Sequence, residues 1–209
     1  MMAKTRVRRK PAPHAEATRT RIVAAAVKAF ADNGFEGAST REIAQAASVE
    51  QGLLTYHFPN KDELWRAAAD RIFWTLREGV VERLALLDGV DSDERCREAI
   101  REYVRTMAAN PEFFRFIVDQ GNRSDARTRW LVDTHIKPGF ETMKQFGLLR
   151  AARDEDDVPH AFFSLLGAGS LIFSVAPNCR RLTGVDPKKR ETIEAHAEFV
   201  ANLMVPPSG

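Results

Sequence analysis

"STREIAQAASVEQGLLTYHF", residues Ser39 to Phe58, has helical spacing on both sides of an interruption at Ala47, Ser48 and Val49. Ser39 followed by Glu42 has the N-cap and N3 spacing of a capping box, and Ile43, Ala44 and Ala47 then form a short apolar face. Gly52 to Phe58 follows as a second short piece. Two short helices at a steep angle, joined by a tight turn, present one helix end to the DNA major groove while the other crosses the backbone. Such a recognition element needs only its first turn at the base edges, so it can be short where other helices brace it.

The flanking sequence supplies that brace. Helical periodicity begins near Thr18, with Ile22, Ala26 and Phe30 in one row, Val23 and Val27 in the next, and Gly34 as a stop. After Pro59, Asn60 and Glu63 repeat the capping spacing. They open a long segment carrying Leu64, Ala68, Ile72, Leu76 and Val80.

Further helices are expected from Asp93 to Ala109, from Asn110 (cap) and Pro111 to Asn122, and from Ser124 to Phe146 with a kink at Pro138. Behind an acidic loop, Asp154 to Asp157, the segment Pro159 to Val175 is apolar almost all round, and Pro177 ends it. The last helix is expected from Asp186 (cap) and Pro187 to Val205. No run alternates as a strand does, so the fold class is all-α with about nine helices.

The net charge of +2 is unevenly spread. Up to Arg21 seven basic residues face Glu16 alone, a balance of +6 that leaves −4 for the rest. A basic arm suits a polyanion, because each Lys or Arg near a phosphate releases a condensed counterion. Cys96 and Cys179 form no CxxC and have no histidine at ligand spacing, so neither a disulfide framework nor a metal site is expected. The N-terminus lacks a signal-peptide core and no apolar run approaches the roughly 20 residues of a membrane span, so a cytoplasmic protein without a membrane partner is expected.

The run Thr20 to Leu64, above all "AFADNGFEGASTREIAQAASVEQGLLTYHFPNKDELW", closely resembles the N-terminal signature of the TetR family of transcriptional regulators. It combines in one register the AxxxFxxxG end of the first helix, the xREIA core of the second, the VxxGxL turn and the YHFxxKxxL exit. The resemblance implies a flexible basic arm at 1–15, a helix-turn-helix domain at 16–61 and an effector-binding, dimerising domain at 62–209.

It also implies roles for single residues. Thr40 and Arg41 match positions that meet phosphate or a base edge, and arginine pairs bidentately with guanine. Glu50, Gln51 and Gly52 match the start of the recognition helix, where glutamine reads adenine and a missing side chain lets the backbone approach the duplex. Leu53 touches a thymine methyl or belongs to the module core, whereas Leu54 is core. Thr55 stands where many members have a phosphate-contacting tyrosine, and Tyr56 follows one residue later. His57 is a backbone contact or a packing residue, and Lys61 matches a lysine near phosphate. Ser48 departs from a frequent glycine at the turn. Arg6, Arg8 and Arg9 extend the footprint into a minor groove.

For the remainder, the family implies a homodimer on a palindromic operator and a small-molecule effector that alters DNA binding, with no cofactor. Two recognition helices related by a twofold axis read a palindrome with more discrimination than one. In "LLGAGSLIF", Gly167, Gly169 and Ser170 allow close helix approach while Leu166 and Phe173 fill the sides. Ile193, Ala197 and Val200 are the matching face of the last helix. Candidate pocket residues are Tyr103, Met107, Phe116 and Gln120, then His135, Phe140, Met143 and Phe163, and the abundance of Phe favours a largely apolar or aromatic effector.

Two competing readings have their own signatures. An enzyme would draw on "GAGS", yet Ile172 and Ala168 stand where a dinucleotide fingerprint and a nucleophile elbow need glycine. A protein that keeps the fold for ligand binding without an operator is the other alternative.

Overall fold

The computed structural model describes residues 13–86, 89, 91–145 and 148–206. Arg6, Arg8 and Arg9 lie outside the described residues. The described residues contain helices and no strand, and the chain divides into two compact units, Met1–Ala68 and Ala69–Gly209.

The first unit is built from α1 (Pro13–Gly37), α2 (Thr40–Ala46), α3 (Gln51–His57) and the start of α4 (Lys61–Ala85). α1 begins five residues before the Thr18 expected from periodicity, since a proline is compatible with a first turn whose N–H groups have no helical partner. Gly34, at φ 66, breaks its helical path, so Ala38 can donate back to the Gly34 carbonyl. Ile22, Ala26 and Phe30 are fully buried, as are Ile43 and Leu54, and Phe35 stacks on Phe30 at 5.9 Å. These apolar rows fix the angle between α2 and α3.

The second unit takes the rest of α4, then α5 (Ser92–Ala109), α6 (Pro111–Gly121) and α7 (Ala126–Leu131). A π-helical turn, Val132–Ile136, joins α7 to α8 (Lys137–Gln145), and α9 (Val158–Ser174), α10 (Ala176–Thr183) and α11 (Arg190–Met204) complete it. With 126–145 taken as one helical run, the described residues form ten helices against about nine expected. The additional one is α10, because Pro177 occupies its first turn and opens a helix as well as closing α9. α11 starts later than Asp186, whose Oδ1 accepts from the Lys188 N–H and whose Oδ2 meets Arg180 at 2.8 Å, holding a turn. The distortion expected at Pro138 sits just ahead of it, where the Lys137 N–H reaches the Val132 carbonyl in a widened turn.

α5 is the central helix of this unit, packed against α11 and α9. Cys96, Ile100, Tyr103, Val104 and Met107 are its buried face. Its polar flank is an ionic ladder: Arg101 meets Glu198 at 2.8 Å and Glu98 at 3.0 Å, and Arg105 meets Glu194 at 2.8 Å and Glu98 at 3.0 Å. Burial pushes the Glu98 carboxyl up, but hydrogen bonds from Arg105, Arg83 and Arg101 outweigh this and hold it below its ordinary value.

The packing buries part of the expected dimer face within the chain. Gly169, Ser170 and Phe173 on α9, and Ala197 and Val200 on α11, are buried inside the chain, while Leu166, Gly167 and Ile193 are half-buried. A Cβ at Gly169 would stand 2.6 Å from Tyr103 Cε1, so that glycine serves the contact between α9 and α5. What is exposed is the adjacent face: Phe163 at 69% and Leu171 at 52% on α9, with Phe199 at 66% and Leu203 at 55% on α11. Phe163, expected at a pocket, is thus on the surface of the single chain. An almost wholly apolar helix carries two apolar faces, and only packing shows which one meets α5.

Candidate nucleic-acid interface

Ser39 caps α2, its Oγ accepting from the Glu42 N–H at a long 3.5 Å. Ala47 is the C-cap of α2, and Ser48 then takes φ 54, the left-handed conformation that lets the chain reverse into α3. The Ser48 N–H bonds to the Gln45 carbonyl at 3.0 Å and the Val49 N–H to the Ala44 carbonyl at 3.0 Å, closing the turn. Glu50 is the extended N-cap of α3 and makes no side-chain cap.

The buried side of α3 is Leu54, fully enclosed, with Phe58 just beyond its end. Leu53 is exposed, which resolves the two readings of that residue toward the surface. Beside it on the open side stand Glu50, Gln51, Gly52, Thr55 and Tyr56, the last 79% exposed, and Arg41 is exposed at the start of α2. A Cβ on Gly52 would meet nothing within 4 Å, so no contact inside the chain requires glycine there.

Two expected contact residues bond to each other: Gln51 Nε2 donates to Thr40 Oγ1 at 3.3 Å. Thr55 Oγ1 donates back to the Gln51 carbonyl at 3.1 Å. An open notch of about 410 Å³ lies where the starts of α2, α3 and α4 converge, lined by Ser39, Thr40, Gln51, Thr55, Asn60 and Lys61 among others. Its hydroxyl and amide groups suit a phosphate oxygen. Asn60 caps α4 through the Glu63 N–H at 2.8 Å and donates to Glu63 Oε1 at 2.9 Å, the expected reciprocal cap.

Lys61 and His57 are placed differently from free phosphate contacts. Lys61 Nζ donates to the Glu36 carbonyl at 3.2 Å and lies 4.8 Å from the centre of the Phe35 ring. His57 is half-buried between the Tyr56 and Phe58 rings, at 5.4 and 6.5 Å. Sequence reasoning missed Arg19, whose guanidinium lies 5.1 Å from the Phe58 ring centre and covers the end of α3; no local spacing links residues so far apart.

In the second unit, Tyr103 is fully buried and its hydroxyl lies 2.8 Å from Ser170 Oγ. Burial pushes the Tyr103 hydroxyl pKa up to about 12, the Ser170 hydrogen bond opposing it, so the phenol stays protonated. Met107 and Phe116 are core, and Gln120 is buried near the end of α6. His135 is stacked on Phe73 at 4.7 Å and bonds to Asp70 at 2.9 Å, while Phe140 and Met143 are half-buried. No group of three His, Cys, Asp or Glu among the described residues has the arrangement of a metal site. No single described helix is long and apolar enough to cross a membrane.

A braced pair of seven-residue helices that leaves Arg41, Gln51 and Tyr56 exposed defines a helix-turn-helix DNA-binding protein. Comparison with known proteins agrees with that class. The family described as "Bacterial regulatory proteins, tetR family" matches residues 22–68. The chain is 28% identical over 163 residues, 74% of each protein, to the HTH-type transcriptional repressor NicS of Pseudomonas putida. Over 53 residues, 25% of this chain and 27% of the other, it is 42% identical to the HTH-type transcriptional regulator UidR of Escherichia coli K12. Its fold is similar to that of AibR in complex with isovaleryl coenzyme A and operator DNA, with TM-score 0.65 and 23% identity, covering 91% of this chain and 100% of that one. Residues 22–68 therefore carry the signature of the tetR family of bacterial regulatory proteins.

Proposed function

We propose that this regulator is a cytoplasmic repressor that binds a palindromic operator as a homodimer and is released by a small, largely apolar effector. The exposed constellation of Arg41, Gln51, Gly52 and Tyr56 around α2 and α3 carries the reading. Arg41 and Gln51 read base edges, while Thr40, Thr55 and Tyr56 hold the phosphate backbone. Lys61 contributes its charge from the protein side, and Glu50 and His57 flank the contact.

Repression and a small-molecule effector have support in the relatives: NicS is a repressor, and AibR is seen with isovaleryl coenzyme A and operator DNA. The dimer uses the face made by Phe163, Gly167, Leu171, Phe199 and Leu203, since four large apolar side chains on two neighbouring helices need a partner surface. Its twofold axis pairs two recognition helices on one palindrome. The effector releases DNA by binding one dimer geometry better than the other.

The test is selection of fragmented genomic DNA by the purified protein, followed by fluorescence anisotropy of enriched fragments at several salt concentrations. A recurrent palindrome whose binding weakens in Arg41→Ala and Gln51→Ala supports the reading. Enrichment of no sequence by a folded dimer overturns it.

A further inference from the structure

Gln120 is 1% exposed, and its Oε1 has no hydrogen-bond donor among the described residues. The orientation of its amide is determined by the neighbouring carboxylate. Nε2 donates to Asp119 Oδ2 at 3.1 Å, and Asp119 Oδ1 lies 3.6 Å from Arg123. Turning the amide over would aim Oε1 at that carboxylate, so the acceptor faces the other way. The backbone carbonyl of Gln120 is already taken by Thr128 Oγ1 at 3.2 Å. A buried acceptor without a donor is uncommon in a folded protein and calls for a partner.

Apolar side chains share the helix face that carries this residue. On α6, Phe113 and Phe116 are buried along the face that Gln120 shares. α9 packs along α6, and Ser174 at its end donates to the carbonyl of Pro111 at the start of α6, so the two helices run antiparallel. Phe162 and Leu165 therefore lie toward the end of α6 that carries Gln120, and Phe140 of α8 meets Phe162 edge-on at 5.1 Å. The π-helical turn is held through His135 by Asp70 and Phe73, but α8 beyond it has no buried residue. A wall with little buried surface opens at low cost.

We propose, resting on the reading of the second unit as effector-binding, that Gln120 Oε1 is the polar anchor of the effector site and that the effector is a neutral, apolar or aromatic molecule presenting an N–H or O–H donor. The acceptor selects against molecules of the same shape without a donor, and against anions, which bring a second acceptor to it. α8 moves aside to admit the ring.

The experiment is calorimetric titration of the full chain, without DNA, with indole, with benzofuran as its near-isostere lacking the donor, and with benzoate. Indole is expected to bind about tenfold tighter than benzofuran, the worth of one hydrogen bond, and benzoate weakest. In Gln120→Leu, or in Gln120→Met should the first variant fold poorly, the affinities for indole and benzofuran converge. Equal binding of the two by the native chain, tightest binding of benzoate, a preference that survives both variants, or no binding of any probe overturns the proposal. Operator selection by the probe-free protein separates the failures: captured DNA without a donor preference removes only this inference, whereas no captured DNA removes the broader reading.

Discussion

Tyr103 Oη lies 2.8 Å from Ser170 Oγ, one residue beyond the glycine on which the Tyr103 ring rests. That bond ties α5 to α9 inside one chain and gives a buried phenol its partner. Ser170→Ala removes it and leaves a buried hydroxyl with only the Leu166 carbonyl at 3.5 Å, so a loss of about 1–2 kcal/mol is expected in denaturant unfolding. Gly169→Ala places a methyl against a ring that cannot retreat and is expected to cost about 1–3 kcal/mol. Both variants are expected to keep the sedimentation behaviour of the native protein, since neither residue is on the proposed dimer face.

Leu203→Glu and Phe199→Glu test that face directly. Both side chains are largely exposed in the single chain, so the fold tolerates the change, whereas an apolar dimer interface does not accept an unpaired charge. Sedimentation is expected to show monomers with unchanged helical content, and operator affinity should fall with dimerisation.

On the DNA side, Arg41→Ala is expected to weaken operator binding by about 1–3 kcal/mol and to relax preference at one base position, as loss of a bidentate contact does. Gly52→Ala separates folding from recognition. Its Cβ meets nothing in the chain, so thermal stability holds or rises slightly, while operator affinity falls because the methyl comes between backbone and duplex. Equal operator affinity of the variant and the native protein would show that Gly52 does not approach the DNA.

Acid should loosen the second unit. Glu98, Glu194 and Glu198 are all held below their ordinary value of 4.5. For Glu98 burial opposes the shift and its three arginines prevail; Glu194 and Glu198 are lowered chiefly by Arg105 and Arg101. A depressed carboxyl contributes stability that is complete above its unfolded pKa and disappears as pH falls through the folded one. The melting temperature is therefore expected to be level down to about pH 5 and to drop below it, with a shallower acid limb in Glu98→Gln.

Ser48 offers a test of turn strain. A serine at φ 54 carries a cost of about 1–2 kcal/mol that glycine avoids, offset by about 0.4–1 kcal/mol from the greater freedom of glycine in the unfolded chain. Ser48→Gly is expected to raise stability by roughly 0.5 kcal/mol, read from the denaturant midpoint.

The helix-turn-helix was legible because its determinants are local. Capping spacing at Ser39 and Asn60, the apolar rows of α1 and the interruption at Ser48 all act within a few residues, and the same local pattern carries the family resemblance. Local signals also misled where a residue has two uses: Pro177 closes one helix and opens another, and Asp186 holds a turn instead of starting α11.

By itself the sequence determined the helical class, the position of the DNA-reading helices and the residues available to them. Tertiary structure alone decided that Lys61 is held by Glu36 and Phe35, that Gln51 leans on Thr40, and that Gly169 and Ser170 serve α5. The reason is physical: helical periodicity identifies faces, but an apolar helix such as α9 has more than one, and which face meets which neighbour depends on contacts between residues as distant in sequence as Tyr103 and Ser170.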